Sequence, residues 1–458
     1  MKRIAIIGGG IAGLSAAFYL ERARRAGAPL EWTLFEQSDR LGGVIKTETR
    51  DGFVLEAGPD SFLSLKAEGA QFCRDLGIGD QLVNSNDADR KTYILLRGRL
   101  VQLPRGLEFM VPTRVLPMAS TPLFSVATKI RMLGESFSRP GNRPDESVAN
   151  FVRRHFGHEM VDRVAEPLLA GVYGGDADQM SVRAVLPRFV QMEQESGSLV
   201  RATLLAHRSK KESGTPHQSL FTSLRDGMQQ MVEAAAAALP PDRIRLRQTV
   251  CALRPFHGDW QIESSGFTEE FQAVMLAIPA IAATALMRQF QPELIEGLAQ
   301  IQYSSSVAVV LAYDRADLPA GHGFLVPRTE GRKMLACTFV HKKFSNRAPQ
   351  GTALLRCFFS SSRVPDLPGW SDDALVETVR HELYEILGLE SHPLLARVFR
   401  WDCALPQYAV GHLERVAAME RVLAELPGIQ IIGNSFHGVG IPDCIKSGRL
   451  AVERIISS

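Results

Sequence analysis

Apolar and polar positions follow two rhythms along this chain, one of strands and one of helices. Residues 4–7 (IAII) form a continuous apolar run, and a glycine-rich turn follows. The next stretch, IAGLSAAFYLERARRAG, carries apolar side chains at helical spacing until Gly27 closes it. A second short run, EWTLFEQ, ends on Glu36 and Gln37. Near the middle, SLRDGMQQMVEAAAAAL reads as a helix and RIRLRQTVCALRP as one strand over 243–255. DWQIES and FQAVMLAIP then form a meander that returns to the sheet before Pro279. The C-terminal GIQIIGNSFHGVGIPDCIKSGRLAVERII gives a buried strand over 429–432, a glycine loop and an amphipathic helix beginning near Pro442. Proline suits a first helical turn, where its missing N–H would be unpaired anyway. Strands alternating with helices predict an α/β arrangement.

The rest is less regular. Residues 103–136 mix apolar side chains, methionines, prolines and spaced Arg or Lys. That mixture fits ordinary buried helices, or a helical subdomain that lines an apolar cavity or rests on a bilayer surface. The stretch AEPLLAGVYGGDADQMSVRA (165–184) ends an apolar run in three glycines around Tyr173. Glycine there either makes a turn or removes side chains so that something can approach the backbone. There is no internal repeat and no low-complexity linker, and KKESGTPHQ (210–218) is the best candidate for an exposed loop.

Composition narrows the function classes. The chain has 458 residues, enough for two to four domains, with 45% apolar and 22% charged residues and a net charge of +2. So even a balance gives no global electrostatic case for a nucleic-acid or membrane partner. The six cysteines, at 73, 251, 337, 357, 403 and 444, form no CxxC pair and no metal-like spacing, which suits free thiols in a reducing cytosol. No run approaches the ~18 apolar residues of a membrane span. The N-terminus goes straight into the first strand, so no signal peptide is expected. The expected location is cytoplasmic, at most peripheral on the inner face of the cell membrane.

The candidate chemistry begins at the first turn. Gly8, Gly10 and Gly13 have the G-x-G-x-x-G spacing. Gly8 permits the tight turn, Gly10 lets a pyrophosphate reach the backbone, and Gly13 lets helix and strand pack closely. The helix then offers unpaired N–H groups and a positive dipole end to phosphates. Glu36 stands about twenty residues further on, where a ribose hydroxyl partner belongs. Arg40, Gly42, Gly43 and Lys46 follow the acid, and the turn of Gly58, Pro59, Asp60 and Ser61 comes after another strand. A second glycine loop after the acid, in place of a further crossover helix, resembles the amine-oxidase and phytoene-desaturase-like FAD superfamily.

That resemblance implies an α/β chain with an α+β second domain: a doubly wound Rossmann-type FAD domain, a mixed-sheet substrate domain and a helical insert. The FAD domain would comprise 1–84, 219–284 and 402–458, and the substrate domain 85–100, 187–218 and 285–401. Residues 101–186 would be the insert. FAD would be held by Gly8, Gly9, Gly10, Ile11, Ala12 and Gly13, by Glu36 and Gln37, and by Arg40, Gly42, Gly43 and Val44. Gly58, Pro59, Asp60, Ser61, the backbone of Val250, and Trp401 would add to these. Val439, Gly440 and Ile441 would point the last helix at the isoalloxazine end, where its dipole stabilises the charge of reduced flavin.

Further motifs resemble a narrower family, the oxygen-dependent protoporphyrinogen and coproporphyrinogen oxidases of haem biosynthesis. They are EPLLAGVYGGDADQMSVRA, TYILLRGRLVQLPRG, GFLVP, FSNRAPQG, RWDCALPQYAVGHLERV and GNSFHGVGIPDCIKSG, in that family's order over essentially the full length. The resemblance implies a six-electron oxidation of a porphyrinogen in three rounds, with O2 reoxidising the flavin to give H2O2. Gly174 and Gly175 would form a backbone wall for the macrocycle, faced by Leu325, Thr338 and Phe358. Arg90, Lys91, Arg97 and Arg99 are the nearest candidates for the propionates.

No catalytic base or metal ligand is assigned, and His155 and His158 read as surface residues. The expected partners are porphyrinogen and O2, with no nucleic acid, with peripheral membrane contact, and with transient contact to the next haem-pathway enzyme. The chain would act as monomer or homodimer. Whether the substrate is protoporphyrinogen IX or coproporphyrinogen III stays open. Two rivals stand beside this reading. One is an amine oxidase of the same superfamily, which relies on a lysine near flavin N5 and an aromatic pair, and no such pair precedes the C-terminal glycine loop. The other is a non-catalytic flavoprotein scaffold.

Overall fold

The computed structural model describes residues 1–212 and 219–457; residues 213–218, most of the loop expected at 210–218, and Ser458 lie outside the described residues. The first sheet is parallel, with five strands in the order Ile244–Arg245, Leu30–Phe35, Lys2–Ile7, Ala273–Leu276 and Ile429–Ile431. Alternate residues of its central strand enter different cores. Ile4 and Ile6 pack under the helices Ile11–Arg25 and Ile441–Ser457, beside Leu14, Leu20 and Ile455. Ala5 and Ile7 join Leu253, Trp260 and Ile262 of the antiparallel meander Val250–Phe256, Asp259–Ser264, Phe267–Phe271. Burial on both faces explains why these strands read as unbroken apolar runs.

Two details of the sequence reading change here. The strand expected over 243–255 is two strands, Ile244–Arg245 and Val250–Phe256, separated by a turn with Arg247 at φ +56°. The turn's N–H groups, on Arg247 and Gln248, donate to the carbonyls of Ser38 and Glu36, so they extend no ladder. The helices Ala280–Leu286 and Pro292–Ala299, partly assigned to the substrate domain, pack through Leu294 and Leu298 on Trp260 and Met419, in the core of the first sheet.

The second sheet is mixed, with seven strands in the order Leu395–Pro406, Tyr303–Tyr313, Ala353–Ser360, Ala336–Phe339, Gly323–Leu325, Thr92–Leu96 and Arg99–Gln102. Only the pair Gly323–Leu325 and Thr92–Leu96 runs parallel. One face is closed by the helix Asp372–Leu387, whose Leu375, Val379 and Leu383 cover Phe324, Cys337, Cys357 and Phe359. Toward one end, the opposite face meets Phe53, Leu55 and Ala57 of the hairpin strands Thr47–Arg50 and Phe53–Glu56. At the other end it meets the helical insert.

The insert core gathers Phe151, Phe156, Leu169 and Met132 from several helices, together with Leu199 and Val200. The helices Pro187–Ser196 and Leu199–Glu212, expected with the substrate sheet, therefore pack with the insert. No helix among the described residues is long and apolar enough to cross a membrane.

Candidate active site

The first glycine loop has two kinds of glycine. A Cβ on Gly8, at φ +107°, would lie 2.4 Å from the Ala277 carbonyl oxygen, and one on Gly13 would lie 1.9 Å from the Gly8 carbonyl oxygen. Those two are fixed by backbone packing against backbone. Gly10 differs, because a Cβ there would meet nothing within 4 Å. It is the N-cap of the helix Ile11–Arg25 and has no side-chain cap, so the unpaired N–H groups of the first turn, from Ile11 and Ala12 onward, face open space. That cradle fits a phosphate group. Glu36 closes its side: Oε2 accepts from the Gly9 N–H at 2.7 Å, and Oε1 from the N–H and hydroxyl of Ser38 at 2.8 Å. Gln37 is exposed beside it. The 247–250 turn runs alongside, which puts the start of the Val250 strand next to the acid.

The second loop is laid on the first. The Gly42 N–H donates to the Gly9 carbonyl at 2.8 Å, Gly42 pairs with Gly10, and a Cβ on Gly43 would touch Gly10 Cα at 3.4 Å. Arg40 departs from its expected role. Its guanidinium is engaged with the carbonyls of Leu41 and Ile45 at 3.1 Å and with that of Gly43, so it shapes the loop itself. A Cβ on Gly58 would lie 1.8 Å from the Val44 carbonyl oxygen, which seats the 58–61 turn directly on this loop. Pro59 continues that turn. Trp401 Nε1 donates to the Ala57 carbonyl at 2.8 Å, so Trp401 secures the loop from the second sheet.

Asp60 is likewise committed within the protein, to Lys343 Nζ at 2.9–3.0 Å and to the Ser61 hydroxyl at 2.7 Å. Burial alone would raise its carboxyl, but Lys343 and Arg356 outweigh burial and hold it well below the usual carboxylate range.

The C-terminal loop is braced by residues the sequence reading did not single out. The Tyr408 hydroxyl donates to the Asn434 carbonyl at 2.5 Å and accepts from the Gly438 N–H at 2.8 Å. His412 stacks on Tyr408 at 4.0 Å, with its Nε2 2.9 Å from the Phe436 carbonyl oxygen. Burial pushes the imidazole down to about 4. Val439 and Gly440 then lead into the helix at Ile441. Asp443, in its first turn, accepts from the Gly440 N–H at 3.3 Å and pairs with Lys66 at 2.6 Å. The Tyr173 hydroxyl is pushed up to about 12, by burial first and by Asp443 second.

The second sheet contributes a belt of side chains. Cross-strand pairing sets Leu325 opposite Ala336, Ala336 opposite Phe358, and Thr338 opposite Arg356, all on the face away from the helix Asp372–Leu387. Leu325, Thr338 and Phe358 are half-buried, whereas their neighbours Phe324, Cys337 and Cys357 on the other face are fully enclosed. Residual exposure in the middle of a seven-stranded sheet marks a recess. The helix Glu166–Tyr173 crosses over it, with Ala170 packed on Leu335 and Ala336, and with Leu325 and Phe358 against the same cluster. None of the seven strands contains a lysine.

Gly174 and Gly175 are not the wall expected of them. Gly174 is the left-handed C-cap of that helix, at φ +58°, and a Cβ on it would meet Leu405 at 2.8 Å. A Cβ on Gly175 would lie 1.9 Å from Gln407 Oε1. Protein side chains fill both spaces, so these glycines serve a turn and a close contact. Gly171, one helical turn earlier, is the open one: it is exposed, and its nearest neighbour would be Leu325 Cδ2 at 4.0 Å.

The four cations proposed for the propionates lie at the sheet edge. Arg90 and Lys91 sit beside His322, whose N–H bonds Lys91, and Arg97 and Arg99 flank a turn held by Glu330. His155, read as a surface residue, is buried and bonded to Glu135 at 2.9 Å, because its helix presents that side to the insert core. His158 is exposed. Among the described residues no cluster could hold a metal ion.

Comparison with known proteins agrees with this geometry. The family model for flavin containing amine oxidoreductases matches residues 11–456. The coproporphyrinogen III oxidase of Bacillus subtilis (strain 168) is 34% identical, over 98% of this chain and 97% of its own. The mitochondrial protoporphyrinogen oxidase of Nicotiana tabacum is 26% identical, over 100% of this chain and 95% of its own. Among solved structures, a protein from Exiguobacterium sp. 255-15 superimposes with a TM-score of 0.88 at 31% identity, covering 100% of this chain and 99% of that one. Cyclohexylamine oxidase from Brevibacterium oxydans IH-35A, with a TM-score of 0.72 at 15% identity over 100% of this chain and 99% of its own, shares the fold. The chain belongs to the flavin containing amine oxidoreductase family, on the branch that carries the coproporphyrinogen III and protoporphyrinogen oxidases.

Proposed function

We propose that this chain is an FAD-dependent porphyrinogen oxidase of haem biosynthesis that converts coproporphyrinogen III to coproporphyrin III with O2 as acceptor. The observation that carries the reading is the apolar recess of Leu325, Ala336, Phe358, Ala170 and Gly171, in a chain whose Gly10 cradle is open to a phosphate. The open cradle at Gly10, the carboxylate of Glu36 and the helix N-terminus at Ile441 fit a dinucleotide, which favours FAD over a shorter flavin. Coproporphyrinogen is preferred over protoporphyrinogen because the bacterial relatives from Bacillus subtilis and Propionibacterium freudenreichii, at 34% and 31% identity, bear that name.

Bound flavin would supply the two-electron acceptor for each of three rounds, and H2O2 would form as O2 restores it. The chain's own residues bind and present the substrate. Apolar walls exclude water and make no directional bond, so the macrocycle can be offered again in a new orientation after each round. Holding a methylene bridge in a fixed near-attack position supplies most of the rate enhancement. The absence of lysine from the sheet argues against an amine oxidase.

The insert also supports contact with an anionic bilayer surface. Val126, Ile130, Leu133 and Phe137 form an exposed stripe at helical spacing, with Arg114 and Arg131 exposed nearby. Flotation with anionic vesicles, against a variant with aspartate at Ile130 and Phe137, checks this location.

The functional test is anaerobic mixing of the flavin-loaded protein with coproporphyrinogen III and, separately, protoporphyrinogen IX. Bleaching of the flavin, followed by porphyrin release once O2 is admitted to turn over the remaining rounds, supports the reading, and the substrate that bleaches the flavin faster names the porphyrinogen. A bound flavin that neither substrate bleaches would leave only a scaffold.

A further inference from the structure

A buried arginine stands where the two glycine loops meet the substrate recess, and no step above uses it. Arg356 lies two residues before Phe358 on the strand Ala353–Ser360 and is 6% exposed. Its Nη2 donates to the Ala57 carbonyl at 3.3 Å and to that of Gly58. Its guanidinium carbon sits 4.7 Å from the centre of the Phe358 ring. Its Nε is buried with no acceptor among the described residues.

Charge is unbalanced around it. Lys343, Arg347 and Arg356 crowd two carboxylates, and both of those have nearer partners: Asp60 lies 2.9 Å from Lys343, and Glu56 lies 3.7 Å from Arg347. Arg356 makes no ion pair among the described residues. A buried guanidinium whose hydrogen bonds go only to two carbonyls, and which shares Asp60 with the nearer Lys343, is costly unless a further anion meets it at some stage of the working cycle. An amine oxidase was expected to hold a lysine near the flavin. Here the strands carry none; of the cations on this face, Arg397 is paired with Glu48, and the one beside Phe358 is Arg356.

We propose that Arg356 is a positioning and electrostatic residue of the site: it fixes the Gly58 carbonyl and the Phe358 ring, and its charge, which no carboxylate pairs directly, favours the flavin in its reduced, anionic state. The inference rests on the flavin reading above but not on the identity of the porphyrinogen. It explains how one residue ties the cofactor loop to the substrate ring, since the same guanidinium touches both.

The test is the midpoint potential of the flavin-loaded protein, measured by dye equilibration without any porphyrinogen, in Arg356→Gln and Arg356→Lys. Glutamine should move the reduction equilibrium about tenfold toward the oxidised form, roughly 30 mV for a two-electron couple. Lysine should keep the potential close to wild type while raising KM for porphyrinogen, because it retains charge but not the two-carbonyl hold. If glutamine does not fold, Arg356→His carries a titratable charge: its potential should fall more steeply than wild type as pH rises through the imidazole range. A potential that glutamine leaves unchanged, a lysine variant that falls as far as glutamine, or a histidine variant that tracks wild type would each overturn the inference. A glutamine variant with altered KM alone would show that the charge faces a propionate instead, and would overturn it too. A wild-type chain that takes up no flavin would sink the functional reading itself, a distinguishable result.

Discussion

Gly171→Leu and Gly175→Ala make opposite demands on the molecule, and the structure assigns a sign to each. Gly171 lies inside the helix Glu166–Tyr173, in open space, with Leu325 Cδ2 at 4.0 Å from an added Cβ. Glycine in a helix interior is about 1 kcal/mol less favourable than alanine, and leucine is close to alanine, so stability should hold or rise slightly. The new side chain would instead fill the recess beside Leu325, and KM for porphyrinogen should rise sharply or turnover collapse. Gly175→Ala places a methyl 1.9 Å from Gln407 Oε1. Gln407 cannot swing away freely, because its Nε2 donates to the carbonyls of Tyr173 and Leu405 and to the Ser304 hydroxyl at 2.9–3.0 Å. Losing one to three such bonds costs about 1–3 kcal/mol, a few degrees of melting temperature in a chain of this size. Thermal melting followed by flavin fluorescence, together with porphyrin formation per bound flavin, reads both effects. Normal kinetics in Gly171→Leu, or depressed turnover with unchanged melting in Gly175→Ala, would return the wall to Gly174 and Gly175.

Three further outcomes follow from the same geometry. Phe358→Ala should weaken porphyrinogen binding by a ring-stacking contribution of ~0.5–1.5 kcal/mol, a two- to roughly tenfold rise in KM, with the flavin spectrum little changed; unaltered kinetics would make Phe358 simple core. Gly10→Val should leave a folded chain that takes up no flavin, checked by flavin content after reconstitution, whereas Gly13→Ala should fail to fold because its Cβ meets the Gly8 carbonyl. The buried His412, at about 4 against an ordinary 6.5, binds its proton less readily folded than unfolded, so stability should fall as pH drops from 6.5 toward 4, by up to roughly 3 kcal/mol, and stay flat above 6.5. Denaturant melts of wild type and His412→Gln at pH 5 and pH 7 measure it, and an equal pH slope in the two would refute the assignment.

What could be read from the sequence was whatever depends on local spacing. The turn at Gly8, Gly10 and Gly13, the acid at Glu36 and the helix starting beside Pro442 all lie within short segments whose spacing encodes their contacts. The 243–255 strand shows the limit of that method. Apolar periodicity ran straight through Arg247, which turns because its N–H finds the Ser38 carbonyl, a partner two hundred residues away. Arg40 and Asp60 were legible as motif members, yet their partners were not: one charge is engaged by loop carbonyls and the other by Lys343. Gly174 and Gly175 misled for the same reason. A glycine pair signals close approach without saying what approaches, and the answer lay in Gln407 and Leu405, distant in sequence. Arg356 left no signal beyond an arginine in an apolar strand, LLRCFF, which is itself an anomaly in a central strand and could have been asked for a partner.

The helices that begin at Ile11 and Ile441 are not independent features that share a sheet. Gly448 of the C-terminal helix lies so close to the first helix that a Cβ there would be 2.4 Å from Ser15 Oγ and 2.6 Å from the Ala12 carbonyl. That contact fixes the separation and angle of the two N-termini, at Ile11 and Ile441, to within what backbone packing allows. One end of a long cofactor can then be gripped at the Gly10 cradle while the other is aligned by the loop that Tyr408 and His412 brace. The cost is topological. The strand Ile429–Ile431 pairs with Ala273–Leu276, and Lys66 reaches Asp443, so the cofactor seat closes only when the last segment of the chain has joined the first. Such long-range closure is slow to find. Once made, it places the recess, the Arg356 guanidinium and the flavin loops in one rigid frame, as a reaction governed by the placement of a wide macrocycle requires.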